Sequence, residues 1–192
     1  MSELLLEQNQ IIKREADELL HRNKLLDVLQ IYGIPRISGS YALDLMTWRD
    51  LDIYLEVDAI TEADFFKLGG QLCEALFPVR MQFRNERIAR SSGLPHGLYW
   101  GSYLGDERKG SWKVDLWAVD KKECARLLEY CERIRQQLDD VSVAIILSLK
   151  SQCWQDPEYR RLYTSADIYD AVLFAGVKDL DGFWRYLDTR VR

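Results

Sequence analysis

Asp50 and Asp52 flank a leucine in Asp50-Leu51-Asp52-Ile53, the start of DLDIYLEVD, an alternating run rich in β-branched and aromatic residues. Such a run reads as a strand, with both carboxylates on one face and Leu51 and Ile53 on the other. Two carboxylates about 7 Å apart along one strand face repel each other unless a cation lies between them. Mg²⁺ suits the pair, because it prefers oxygen ligands and draws a substrate's phosphates in as further ligands. Gly39-Ser40 stands upstream, with nine residues intervening before Asp50. Gly39 lets a backbone come close to a phosphate, and Ser40 offers a hydroxyl and an N–H where a short helix starts, a position that favours anions. A third carboxylate, Asp115 in Trp112-Lys113-Val114-Asp115-Leu116-Trp117, faces away from Val114 and Leu116 on a second strand. If the two strands are neighbours, Asp50, Asp52 and Asp115 share a sheet face. Three carboxylates can hold two Mg²⁺ ions, one activating a hydroxyl nucleophile and the other stabilising a leaving pyrophosphate. Lys113 lies two residues before Asp115 and so on the same face, where it could neutralise phosphate charge.

The elements that must position these residues follow from periodicity. Residues 2–31 predict one long amphipathic helix, with Leu5, Ile12, Leu19, Leu26 and Leu29 at helical spacing, ended by Gly33 and Pro35. This helix is expected to pack on the chain's own sheet rather than in a coiled coil. A short helix is expected near Ser40. Thr61 and Asp64 form a capping box for a helix that Pro78 ends. VRMQFRNERIAR reads as a strand alternating Val79, Met81 and Phe83 with Arg80, Gln82 and Arg84. GLYWGSYLG and SWKVDLWAV flank DERKG as a hairpin. From residue 121 onward the chain turns helical. The predicted organisation is an α/β core with its N-terminal helix over 1–120, followed by a helical lobe over 121–192.

Composition limits the classes of function. The 192 residues are 47% hydrophobic and 30% charged, as in ordinary globular proteins. Lys and Arg number 26 against 31 Asp and Glu, a net charge of −5. That balance makes nucleic acid an unfavoured partner, since phosphate neutralisation needs a cationic surface. No stretch approaches the roughly 18 apolar residues of a membrane span, and the N-terminal segment lacks a signal peptide's apolar core, so a cytoplasmic protein is expected. Cys73, Cys124, Cys131 and Cys153 form no Cys-x-x-Cys pair, and His21 and His96 stand too far apart for a zinc site. Any metal here must be held by oxygen.

Other residues read two ways. Lys150, on VSVAIILSLK, either reaches nucleotide phosphates or snorkels from a helix end. Tyr163, Asp167 and Tyr169 either line a cleft or belong to a helix and its core. Arg80, Arg84, Arg87 and Arg90 form a basic run that meets a triphosphate or is simply solvated. Asp44 reads as a local cap or hydrogen-bond partner. Tyr99, Trp100, Tyr103, Trp112 and Trp117 are packing residues, some of which could floor an acceptor pocket.

A hydrophobic residue, Gly39-Ser40, a nine-residue spacer, Asp50-Leu51-Asp52-Ile53 and a later acid, Asp115, together resemble the nucleotidyltransferase superfamily of the DNA polymerase β type. Ala42-Leu43-Asp44 is similar to the matching stretch of aminoglycoside and lincosamide nucleotidyltransferases. Leu43, Asp44 and Arg49 depart from other small relatives, which carry Arg-Gly after the alanine and Ser before the first aspartate. The resemblance covers the α/β core and says little about residues 121–192. It implies a nucleotidyltransferase-type mixed β-sheet flanked by helices, and Mg²⁺-dependent transfer of a nucleoside monophosphate, AMP from ATP in the first instance, to a hydroxyl of a small-molecule acceptor. Asp50, Asp52 and Asp115 would be the catalytic and metal-binding residues, with Asp115 also the general base. Gly39, Ser40, Lys113 and Lys150 would bind the nucleotide. Relatives that modify antibiotics form dimers, so a homodimer is a further implication. A protein-modifying enzyme of toxin–antitoxin type and a non-catalytic nucleotide-binding module are the alternatives.

Overall fold

A computed structural model describes residues 2–190. Its centre is a five-stranded mixed sheet in the order β1-β2-β5-β4-β3, built from β1 (Ile34–Ile37), β2 (Asp50–Glu56), β3 (Arg80–Asn85), β4 (Gly97–Tyr103) and β5 (Lys113–Val119). β2 and β5 run parallel, and the remaining neighbours are antiparallel. Alternation sets the two faces of the sheet. Leu51, Ile53 and Leu55 are fully buried, while Asp50, Asp52, Tyr54 and Glu56 stand on the opposite, half-covered face.

The apolar face packs on α4 (Glu62–Leu76), whose Phe65, Leu68 and Leu72 point into it. Gly69 marks the point of closest approach: a Cβ there would lie 2.8 Å from the Trp100 ring on β4. Thr61 caps α4 by accepting a hydrogen bond from the Asp64 N–H, and Phe77, in the left-handed region, ends it one residue before Pro78.

The N-terminal helix differs from expectation. α1 (Ser2–Asp17) runs into a wider, π-type turn at Glu18–Arg22, and Lys24 (φ 58°) starts a separate α2 (Leu25–Gln30). The wider turn keeps Leu19 and Leu20 buried, and Leu25 and Leu29 then face the same core. α1 also reaches beyond the sheet layer: Ile12 and Ala16 join the sheet core, while Leu5 packs against the helical lobe. The strand expected to run on to Arg90 stops at Asn85, where Glu86–Ala89 form a helical turn, α5. The buried Glu86 carboxylate holds that turn by accepting from the Ser91 N–H (2.8 Å) and hydroxyl (3.1 Å).

A second hydrophobic cluster is helical. It comprises α6 (Lys121–Arg135), α7 (Asp140–Cys153), α8 (Ser165–Ala175) and α9 (Leu180–Arg190), with Ile146, Leu149, Ile168, Ala171 and Phe183 at its heart. Leu45 and Trp48, from the segment between α3 (Gly39–Leu43) and β2, are buried in this lobe. The segment carrying the Gly-Ser turn is thereby clamped between sheet and helices. No helix among the described residues is long and apolar enough to cross a membrane.

Candidate active site

The register of β2 with β5 assembles the polar face. Asp50 pairs with Lys113 and Asp52 with Asp115, so Asp50, Asp52, Lys113 and Asp115 project from two adjacent strands on the same side. The adjacency that the sequence left conditional is present.

Gly39 opens α3 at φ +60°, a left-handed conformation that a side chain resists. A Cβ at this position would lie 2.1 Å from Asp52 Oδ2, so glycine is what lets the turn sit against the carboxylate. The Ser38 N–H donates to the Asp52 carbonyl at 2.9 Å and ties the turn to β2.

The carboxylates differ in their surroundings. Asp50 Oδ2 accepts from the Trp48 indole N–H (3.4 Å) and from Arg160 (3.3 Å), while Oδ1 is buried without a hydrogen-bond partner. Burial would raise its pKa, but Lys113 and Arg160 outweigh that and hold it below the usual carboxylate range. Asp52 makes no side-chain hydrogen bond or ion pair among the described residues. Burial, then the charges of Asp50 and Asp115, push it up to about 7. Asp115 accepts from the Tyr99 hydroxyl at Oδ1 (2.6 Å) and from Lys113 Nζ at Oδ2. Burial raises it despite both donors. Lys113 Nζ also lies 3.9 Å from Asp50 Oδ1, and these two carboxylates keep its ammonium charged although burial opposes that.

An open oxygen on Asp50, an unpartnered Asp52 carboxylate and a turn with space for nothing larger than glycine fit a hard divalent cation held by Asp50 and Asp52. Among the described residues no three His, Cys, Asp or Glu side chains converge as a metal-ligand set.

Lys150 neither snorkels nor lines the cleft. It is fully buried, and its ammonium donates to Ser40 Oγ (2.6 Å), the Leu45 carbonyl (2.5 Å) and the Tyr169 hydroxyl (3.1 Å), 4.7 Å from the centre of the Trp48 ring. Three acceptors take its three donors. Burial pulls its pKa down to about 7. Asp44, left-handed at the end of α3, accepts from Asn9, Gln10 and Lys13 on α1, as a local partner does.

Two compartments meet at this face. One, of about 480 Å³, is lined by Gly39, Ser40, Asp50, Asp52, Ser165 and Tyr169. The other, of about 520 Å³, is lined by Arg84, Tyr99, Tyr103, Arg108 and Trp117. Lys113, Asp115 and Arg160 form the wall between them. Of the arginine run, Arg84 alone lines a compartment at this face; Arg87 donates to the Ile60 carbonyl and Arg80 covers the Tyr103 ring. Trp100, Trp112 and Tyr163 are core, and Asp167 caps α8 by accepting from the Thr164 N–H. Arg160 and Tyr159 were not found from the sequence. They sit in an irregular loop after Pro157, with no period to mark them, and Arg160 takes a left-handed backbone (φ 69°).

A mixed sheet with a Gly-Ser turn packed against paired aspartates is the nucleotidyltransferase fold. No family model matches the chain, and no curated protein matches it. Solved structures do. The chain is similar to Cid1, described by its RNA terminal uridylyl transferase activity, with a TM-score of 0.58 and 13% identity over 92% of this chain and 52% of that one. It is similar to Cid1 again as a poly(U) polymerase with Mg and 3′-dATP bound, with a TM-score of 0.52 and 13% identity over 90% of this chain and 55% of that one. The third is a GLD-2/RNP-8 complex, with a TM-score of 0.56 and 10% identity over 90% of this chain and 64% of that one. At these identities the likeness is one of fold, and this chain spans between half and two thirds of the length of those chains.

One expectation is overturned. Net charge counted against nucleic acid, yet proteins of this same fold are described as acting on RNA. Net charge is a whole-surface average, whereas binding depends on a local field. Four cations, Arg84, Arg108, Lys113 and Arg160, against Glu107 and Asp115 line the second compartment of this acidic chain. Neither the small-molecule acceptor nor the narrower likeness to aminoglycoside and lincosamide enzymes gains support from these structures.

Proposed function

We propose that this chain transfers a nucleoside monophosphate from a nucleoside triphosphate to the 3′-terminal hydroxyl of a single-stranded RNA, releasing pyrophosphate. The observation that carries the reading is the Asp50–Asp52 pair with Gly39 packed against it, a cation-ready carboxylate set beside a glycine turn. The compartment holding Gly39 and Ser40 takes the triphosphate. The cationic and aromatic one takes the acceptor, since arginines meet phosphodiesters and the half-buried Trp117 offers a face for a base. Mg²⁺, held by Asp50 and Asp52, would supply charge neutralisation for the phosphates when bound.

The chain's own residues account for the remaining chemistry. The acceptor oxygen forms a bond to the α-phosphorus as the bond to the bridging oxygen breaks, and pyrophosphate leaves with that electron pair. Asp115, raised by burial and held by Tyr99, receives the hydroxyl proton. Arg160 and Lys113, on the wall between compartments, oppose the charge spread over the reacting phosphates. Lys150 acts through Ser40: it holds the turn in place and does not touch the nucleotide itself.

The test incubates a 5′-labelled RNA oligomer with each of the four nucleoside triphosphates and Mg²⁺, using wild type and Asp50→Ala/Asp52→Ala, and reads extension on a gel with calorimetry alongside. Extension by wild type alone is the expected result. Mg²⁺-dependent nucleotide binding without extension would refute the RNA acceptor and redirect the search to a protein or small-molecule hydroxyl. Equal, metal-independent binding by both proteins would sink the catalytic assignment and leave a nucleotide-binding module.

A further inference from the structure

Lys113 does not sit where a plain phosphate ligand would. The parallel register places it directly across from Asp50, two residues before Asp115, so its side chain rises between carboxylates from both strands. Its ammonium contacts Asp115 Oδ2 and stands 3.9 Å from Asp50 Oδ1. The residue is only 8% exposed. The second oxygen of Asp115 already accepts from Tyr99. Both Asp115 oxygens therefore accept hydrogen bonds from the sheet itself, while Asp50 Oδ1 accepts none and has only the longer ion pair with Lys113.

Resting on the reaction proposed above, we propose that Lys113 is the second cation of the site. Its ammonium occupies the position between Asp50 and Asp115 that another divalent ion would need, and the chain binds a single divalent ion, at Asp50 and Asp52. Charge counting supports the division. Asp50, Asp52 and Asp115 carry three negative charges, and Lys113 and Arg160 return two positive ones. One divalent ion brings the set to a net +1, which a triphosphate readily meets. Two divalent ions would bring it to +3 in a largely buried space before substrate arrives, a costly arrangement at low dielectric. A lysine is suited to the task because its ammonium is a compact point charge with three donors, closer to an ion than a planar guanidinium is.

The test counts bound ions without nucleotide and independently of turnover, by titrating Mn²⁺ and following loss of the free-ion paramagnetic signal. The expected result is one Mn²⁺ per wild-type chain, abolished by Asp52→Asn and unchanged by Asp115→Asn. Lys113→Met should gain a second Mn²⁺, which Lys113→Met/Asp115→Asn should lose again. If Lys113→Met does not fold, wild type and Asp115→Asn still decide. Two Mn²⁺ in wild type, or a lower count in Asp115→Asn, would overturn the inference while leaving the proposed reaction, read from wild-type extension, standing. A wild type that binds no Mn²⁺ and extends no RNA would overturn both this inference and the proposed reaction.

Discussion

Replacing Gly39 with alanine tests the contact on which the site depends. Two separate costs are expected. At φ +60° an alanine pays about 1 kcal/mol for a left-handed backbone. Its Cβ would also lie 2.1 Å from Asp52 Oδ2, so the carboxylate or the turn must shift, an overpacking cost of about 1–3 kcal/mol. The sum is about 2–4 kcal/mol, to be read from urea unfolding of Gly39→Ala against wild type. The second cost belongs to Asp52 alone and the first does not. In an Asp52→Ala background the offending oxygen is gone and only the Asp52 Cβ contact at 3.2 Å remains, so Gly39→Ala should cost about 1 kcal/mol there. A double-mutant cycle therefore yields a coupling of about 1–3 kcal/mol. Mg²⁺-dependent nucleotide binding, followed by calorimetry, should weaken at least about tenfold in Gly39→Ala, equal to about 1.4 kcal/mol, because the carboxylate that would hold the ion has been displaced. An equal stability cost in both backgrounds would refute the reasoning, since it would mean that the turn does not bear on Asp52.

Other residues make further predictions. Lys150, with its folded pKa near 7 against an ordinary 10.5, binds fewer protons folded than unfolded between those values, so it makes stability rise with pH across that window by at most about 1.4 kcal/mol per unit, and contributes no slope below it. Urea midpoints at pH 7 and pH 9 should show this rise in wild type relative to Lys150→Met, and identical pH slopes in the two proteins would refute it. Arg84 and Arg108 are expected to meet RNA phosphates. In Arg84→Ala/Arg108→Ala the slope of log affinity against log salt for an RNA oligomer, measured by fluorescence anisotropy, should flatten by about 1.4. An unchanged slope would remove the acceptor from that compartment.

What could be read along the chain was what depends on local spacing. A two-residue period fixes which side of a strand a residue takes, so Asp50, Asp52 and Asp115 could be assigned a face, and the glycine-serine turn could be placed before them. Hydrophobic periodicity likewise located the capped helix after Thr61 and the hairpin around residues 105–110. Local spacing could not show that the first helix breaks at a π-type turn, because Leu19, Leu20, Leu25 and Leu29 are pulled toward one core by packing from residues far away. Nor could it show that β3 gives way to a turn held by Glu86.

Tertiary structure decided which partners each polar group finds. Arg160 reaches Asp50 across 110 residues, and Lys150 reaches Ser40 across another 110, separations at which no pattern in the chain signals contact. Lys150 is a turn-holding lysine and not a surface one only because α7 carries it beneath α3. Lys113 was assigned the right face, but whether its ammonium met phosphate or carboxylate depended on the register of β2 against β5. The acidic total misled about nucleic acid for the same reason. A sum over the sequence discards position, and the fold gathers Arg84, Arg108, Lys113 and Arg160 from four separate segments into one compartment. Side-chain direction is a local property of the backbone, whereas electrostatic environment is a property of everything folded around it.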